Sequence, residues 1–279
     1  MVRQTTSLTL MRGAMGLLSR TVPDVASRVA ADLFMKPRRF DAPARERTVL
    51  TDATPFEVRL GTSTRIQAWR WGRGPLVLLV HGWEGRGSQL APFVRPLVDA
   101  GHSVVTFDAP GHGASSGKRS SLPHFAFAVR GVAESIAAPH AIVAHSLGCA
   151  ATTLALRDGL TAQRLVFISP PLNPSDYVGR FGEILGIGGA VLDQMKARIE
   201  ERFLRKWSDY SLEATAQEMT APLLVVHDRD DEETFHSEGA ALAAAWNGAR
   251  LISTSGLGHR RILRDENVIA EATRFIVAA

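Results

Sequence analysis

Apolar and polar positions along this chain fall into two alternating patterns. Short, largely apolar runs at 76–80, 103–107, 141–144, 164–168 and 223–226, with 250–253 as a last one, suit buried parallel strands. Ahead of them, 57–60 and 67–71 suggest two strands that pair antiparallel. Between the strands lie helix-compatible stretches at 89–100, 123–137, 149–158, 237–246 and 267–277. Strands separated by helices of this length predict right-handed crossovers and an α/β fold: a doubly wound, mostly parallel sheet flanked by helices. Ligands of such sheets meet the chain at the carboxyl ends of the strands.

Two segments depart from this rhythm. Residues 1–40 read as an N-terminal helical extension, with a helix start at Thr21-Val22-Pro23-Asp24 and an apolar stripe of Val25, Val29 and Leu33. Two readings stay open for it: a helix docked on the main domain, or a weak membrane-surface contact aided by Arg12, Arg20, Arg28, Lys36, Arg38 and Arg39. The remainder, 41–279, reads as the main domain, interrupted by an insertion at about 170–219 that is too long for one crossover. Phe181, Ile184, Leu185, Ile187, Val191, Leu192 and Met195 recur in it at helical spacing, broken by Gly186, Gly188 and Gly189. This predicts a small helical cap that leaves from the active edge of the sheet and favours an apolar substrate.

Composition changes the picture little. The chain has 279 residues and is 45% hydrophobic, enough for one sizeable core. Its net charge of +4 comes from 32 basic residues, of which only Lys36, Lys118, Lys196 and Lys206 are lysines. They are scattered without a basic run or aromatic interleaving, so no nucleic-acid partner is expected. The single Cys149 excludes an internal disulfide and a cysteine-based metal cluster. The uncharged run 135–156 is long enough for a bilayer but carries Pro139, His140, His145, Ser146 and Gly148, which reads as strand, turn and helix. The uncharged stretch 13–19 is short for a signal core. A soluble, cytoplasmic protein is the expectation.

Candidate chemistry sits where the predicted strands end. Ala141 to Ala150 is a strand, then Ala144-His145-Ser146-Leu147-Gly148, then an alanine-rich helix. The strand 76–80 runs into His81-Gly82-Trp83-Glu84-Gly85, and the next strand into Asp108-Ala109-Pro110-Gly111-His112-Gly113. An acidic turn, Asp228-Arg229-Asp230-Asp231, follows the strand 223–226, and Gly256-Leu257-Gly258-His259 follows the last one. A phosphate-binding reading of Gly117-Lys118 fails, because His112 stands where the first glycine is required and Arg119 replaces Ser or Thr.

Together these motifs resemble the α/β-hydrolase superfamily over roughly residues 75–275, with its serine-elbow, oxyanion-loop and Ser-Asp-His chain order. Ala144 replaces the usual first glycine of the elbow. The resemblance implies Ser146 as nucleophile, His259 as general base and Asp231 as the acid that orients it, with Asp230 as runner-up and Asp176 as a further candidate. It implies an oxyanion hole made by the backbone N–H groups of Trp83 and Leu147. His81, Asp108 and His112 are expected to be structural, and His227 and Asp228 to shape their turn. The implied activity is hydrolysis of a carboxylic ester or thioester of a small, apolar substrate through an acyl-enzyme, without cofactor or metal. Amide, lactone and carbon–carbon bond hydrolysis remain alternatives, as does a non-enzymatic binding protein on the same fold. The oligomeric state is left open.

Overall fold

Every residue of the strand Leu76–Val80 is buried, as a five-residue apolar run demands when it lies inside a sheet covered on both faces. In a computed structural model, which describes residues 6–278, this strand is β3 of an eight-stranded sheet. In chain order the strands are β1 (Thr54–Leu60), β2 (Thr64–Trp71), β3, β4 (Ser103–Phe107), β5 (Ala141–His145), β6 (Arg164–Ile168), β7 (Leu223–Asp228) and β8 (Arg250–Thr254). Their spatial order is β1-β2-β4-β3-β5-β6-β7-β8. β1 pairs antiparallel with β2, and β2 with β4; every pairing from β4 to β8 is parallel.

The helices are α1 (Thr6–Thr21), α2 (Pro23–Phe34), α3 (Ala44–Thr51), α4 (Val94–Asp99), α5 (Leu122–Glu134), α6 (Leu147–Arg157), α7 (Asp176–Leu185), α8 (Ala190–Phe203), α9 (Leu212–Ala216), α10 (His236–Ala245), α11 (Gly258–Arg261) and α12 (Glu266–Val277). Among the described residues, no helix is long and apolar enough to cross a membrane.

The chain divides into two compact units. The larger comprises 37–172 and 212–279 and contains the whole sheet. One face of that sheet packs Val77, Leu79, Val143 and Val166 against Leu97 and Ile276. Fully burying side chains of this size contributes about 1.5–3 kcal/mol each. The predicted helix at 89–100 is instead a 3₁₀ segment, Gly87–Phe93, followed by the short α4. Pro92 lies inside it and has no N–H to donate, which interrupts an α-helical ladder.

The smaller unit comprises residues up to Lys36 together with 173–211. Its core joins Met15, Ala26 and Ala30 to Val178, Leu185 and Met195. The predicted break in the insertion is present: Gly186 and Gly189 have φ of 68° and 52° and separate α7 from α8. Of the expected stripe on α2, only Leu33 packs on this core. Val25 and Val29 are exposed, whereas Ala26, Ser27, Ala30 and Ala31 are buried. Small side chains let α2 approach α8 closely, and Ser27 Oγ accepts a hydrogen bond from Arg198 Nε at 2.9 Å.

Candidate active site

Ser146 stands between β5 and α6 with φ 53° and ψ −126°, a conformation that disfavours any side chain. Two small residues make the turn possible. A Cβ on Gly148 would lie 2.5 Å from the His81 carbonyl oxygen, and one on Gly82 would lie 2.9 Å from Ser146 Cβ. At the remaining small position, Ala144 is fully buried. The elbow is tied to the neighbouring strand by Ser146 N–H, which donates to the Ile168 carbonyl at 3.0 Å. Leu147 is the first residue of α6, so its N–H points out of a helix N-terminus. Trp83 follows Gly82, the residue pressed against Ser146. Among the described residues, the Trp83 N–H donates to no backbone carbonyl and the Leu147 N–H to none outside α6.

The loop behind Trp83 is held by two imidazoles. His81 Nε2 accepts from Ala109 N–H at 3.0 Å, so its Nδ1 carries the hydrogen and donates to the Gly82 carbonyl at 2.6 Å. His112 Nε2 likewise accepts from Glu84 N–H at 3.1 Å while Nδ1 donates to the Pro110 carbonyl at 2.9 Å. Burial keeps both neutral, lowering the pKa of His81 to about 4 and, with His81 nearby, that of His112 to about 3. Asp108 accepts from Gly87 N–H at 2.8 Å and Ala114 N–H at 2.7 Å, and burial raises its pKa. All three side chains thus tie the segments 81–87 and 108–114 to backbone groups.

The acid and base candidates come from the ends of β7 and β8. His259 lies on the turn α11 and is nearly buried. Its Nδ1 is 2.8 Å from Asp231 Oδ2 and 3.2 Å from Thr234 Oγ1. Asp231 Oδ1 accepts from the N–H groups of Glu233 at 2.9 Å and Thr234 at 3.0 Å. Burial alone would raise the Asp231 pKa, but hydrogen bonds from His227, His259 and Thr234 outweigh it and hold the carboxyl far below the usual range. Asp230, one residue away, turns elsewhere and accepts from Gly256 N–H at 2.7 Å. Asp228 accepts from Gly258 N–H at 2.9 Å and Leu257 N–H at 3.1 Å, which positions the chain entering His259. Asp176 opens α7 in the helical unit.

Two further imidazoles support these loops: His145, to which the sequence assigned no role, and His227, which the sequence placed in its turn. His145 Nε2 lies 2.9 Å from the His259 carbonyl oxygen, and the two rings are 4.6 Å apart. His227 Nε2 lies 3.0 Å from the Thr234 carbonyl and 3.5 Å from Asp231 Oδ2. The available signal for His145 was an imidazole at the end of an otherwise apolar strand, a burial that costs too much without a bonded partner.

A family model of the alpha/beta hydrolase family matches residues 77–272. A comparison with curated proteins found no match. Among solved structures, an esterase of Pyrococcus furiosus is similar at a TM-score of 0.67 and 15% identity, over 86% of this chain and 98% of that one. An esterase from Exiguobacterium antarcticum gives a TM-score of 0.63 at 15% identity, covering 81% of this chain and 100% of its own. A bromoperoxidase from Bacillus anthracis gives 0.63 at 16% identity, with the same coverage of 81% and 100%. At these identities the likeness speaks for the fold. The family match runs from β3 into α12 and so takes in Ser146, Trp83 and the candidate acid and base loops; the chain belongs to the alpha/beta hydrolase family.

Proposed function

We propose that this chain is a serine hydrolase that cleaves a carboxylic ester or thioester of a small, apolar substrate through an acyl-enzyme. The observation that carries the reading is the 2.8 Å contact between His259 Nδ1 and Asp231 Oδ2. An ionised Asp231 keeps the hydrogen on Nδ1, so the Nε2 lone pair is available to a proton from Ser146.

Ser146 Oγ attacks the substrate carbonyl carbon as its proton passes to His259 Nε2. The resulting oxyanion lies between the N–H groups of Trp83 and Leu147, donors of a kind worth roughly 3–4 kcal/mol each. Collapse breaks the bond to the leaving oxygen or sulfur, which takes the proton from Nε2. Water then attacks the acyl-serine, giving its proton to His259, and Ser146 Oγ leaves with that proton restored. Asp231 stays a carboxylate throughout and stabilises the imidazolium formed in each half-reaction. Trp83 and Leu147 are half-buried and apolar beside Ser146, which supports an uncharged acyl group over an anionic one.

Reaction with a fluorophosphonate probe tests the assignment. The expected result is one adduct per chain, located at Ser146, together with turnover of short acyl esters or thioesters. Folded protein that leaves Ser146 unmodified would overturn the reading.

A further inference from the structure

The oxyanion loop is held from outside the part of the chain that defines the family. Glu84, next to Trp83, has φ 55°, a left-handed conformation uncommon for a residue with a side chain. Its carboxylate receives the Arg38 guanidinium, with Nε 2.9 Å from Oε1 and Nη2 2.7 Å from Oε2, and the Arg38 backbone N–H donates to Oε1 at 3.0 Å. Two residues further along, Arg86 Nε and Nη2 donate to the Glu46 carboxylate at 2.7 and 2.9 Å. Ser88 Oγ donates to the same carboxylate at 2.8 Å, in nearly complete burial. Arg38 and Glu46 thus grip the loop on either side of Gly85. Both precede the matched residues 77–272.

We propose that the segment 38–46 is a strap that positions the Trp83 amide, with Arg38 as a positioning residue for oxyanion stabilisation; this rests on the serine hydrolase reading above. Trp83 lies between Gly82, which is pressed against Ser146, and the left-handed Glu84. The direction of its N–H depends on both neighbours keeping their backbone angles. Glu84 is held at two points: His112 bonds its N–H, and Arg38 holds its carboxylate from two donors of a rigid fork. Without Arg38 the side chain is released and the uphill backbone angle is free to relax, carrying the amide away from the oxyanion position.

The test compares the rate of fluorophosphonate modification at saturation, the probe concentration for half-maximal rate, and the melting temperature. The probe's phosphoryl oxygen must occupy the oxyanion position, so the saturating rate reads the amide. Arg38→Ala should slow it about tenfold, less than the ~10²-fold or more lost with a whole oxyanion donor. Half-saturation and melting should hardly change, because an exposed ion pair contributes little to stability. In a Glu84→Gly background the same substitution should cost nothing further, since glycine takes a positive φ unaided. Two results would overturn the strap: wild-type rates in Arg38→Ala, or an equal loss from Arg38→Ala in both backgrounds. Wild-type protein unmodified at Ser146 overturns the hydrolase reading, and the strap with it.

Discussion

His145 reaches from the end of β5 to the base loop: its Nε2 lies 2.9 Å from the carbonyl oxygen of His259. Ser146 and its candidate base are thereby tied by adjacent backbone. Nε2 must be the donor, so Nδ1 is left unprotonated, and among the described residues it is buried without a partner. Replacing His145 with Leu removes this orphaned nitrogen together with the bond, and the two effects on stability oppose each other. We expect a melting temperature close to wild type and a kcat reduced about tenfold, because a base displaced by a fraction of an ångström is poorly aligned. Parallel steady-state kinetics and thermal melts check this, and an unchanged kcat would remove His145 from the positioning network.

For the acid, Asp231→Asn should lower kcat by roughly 10⁴-fold, since the amide favours the wrong imidazole tautomer. Asp230→Asn should have a far smaller effect, because it only weakens the bond from Gly256 N–H. Steady-state kinetics of the two variants on one ester give the comparison. A reversal of the order would contradict the contact between Asp231 and His259.

Substitution of Ser146 separates chemistry from strain. Ser146→Ala should abolish turnover and leave the melting temperature nearly unaltered. Ser146→Gly should abolish turnover equally but raise stability by about 1 kcal/mol or more, because glycine adopts φ 53° without penalty. Chemical denaturation of the three proteins measures the difference. Equal stability of the alanine and glycine variants would mean that the elbow stores no strain.

The fold should be acid-labile well above the carboxylate range. His81, His112 and His145 are buried and have pKa values below that of an unfolded histidine, through burial in each case. The unfolded chain therefore binds more protons below about pH 6.5, and stability is lost as the pH falls from there. At pH 5 the loss is about 2 kcal/mol each for His81 and His112. Asp108 is shifted upward by burial and acts in the opposite sense. Asp231, held low, contributes stability that is lost only at still lower pH. Urea midpoints at pH 7.5 and pH 5 test the window; equal midpoints would contradict it.

Much of the sheet was legible because strands buried on both faces are made mostly of apolar side chains. The runs at 76–80, 103–107 and 164–168 therefore coincide with β3, β4 and β6. β5, β7 and β8 extend past their apolar runs, since His145, Asp228 and Thr254 still pair in the ladder. Helix packing was less legible. Periodicity misplaced most of the α2 face: of its stripe only Leu33 packs on the core, Val25 and Val29 are exposed, and close helix approach selects Ala26 and Ala30.

By itself the sequence determined the alternation of strands and helices, the small residues around Ser146 and the order of the candidate residues along the chain. These are local properties: burial on both faces sets strand composition, and a crowded turn excludes large side chains. Only the tertiary structure decided that Asp231 rather than Asp230 meets His259, since neighbouring residues point in different directions once Asp228 and Asp230 bind the amides of the base loop. It also decided that His145 supports His259 and that Arg38 and Glu46 reach Glu84 and Arg86. Those contacts join positions 40 or more residues apart in the chain, where neither spacing nor periodicity carries a signal.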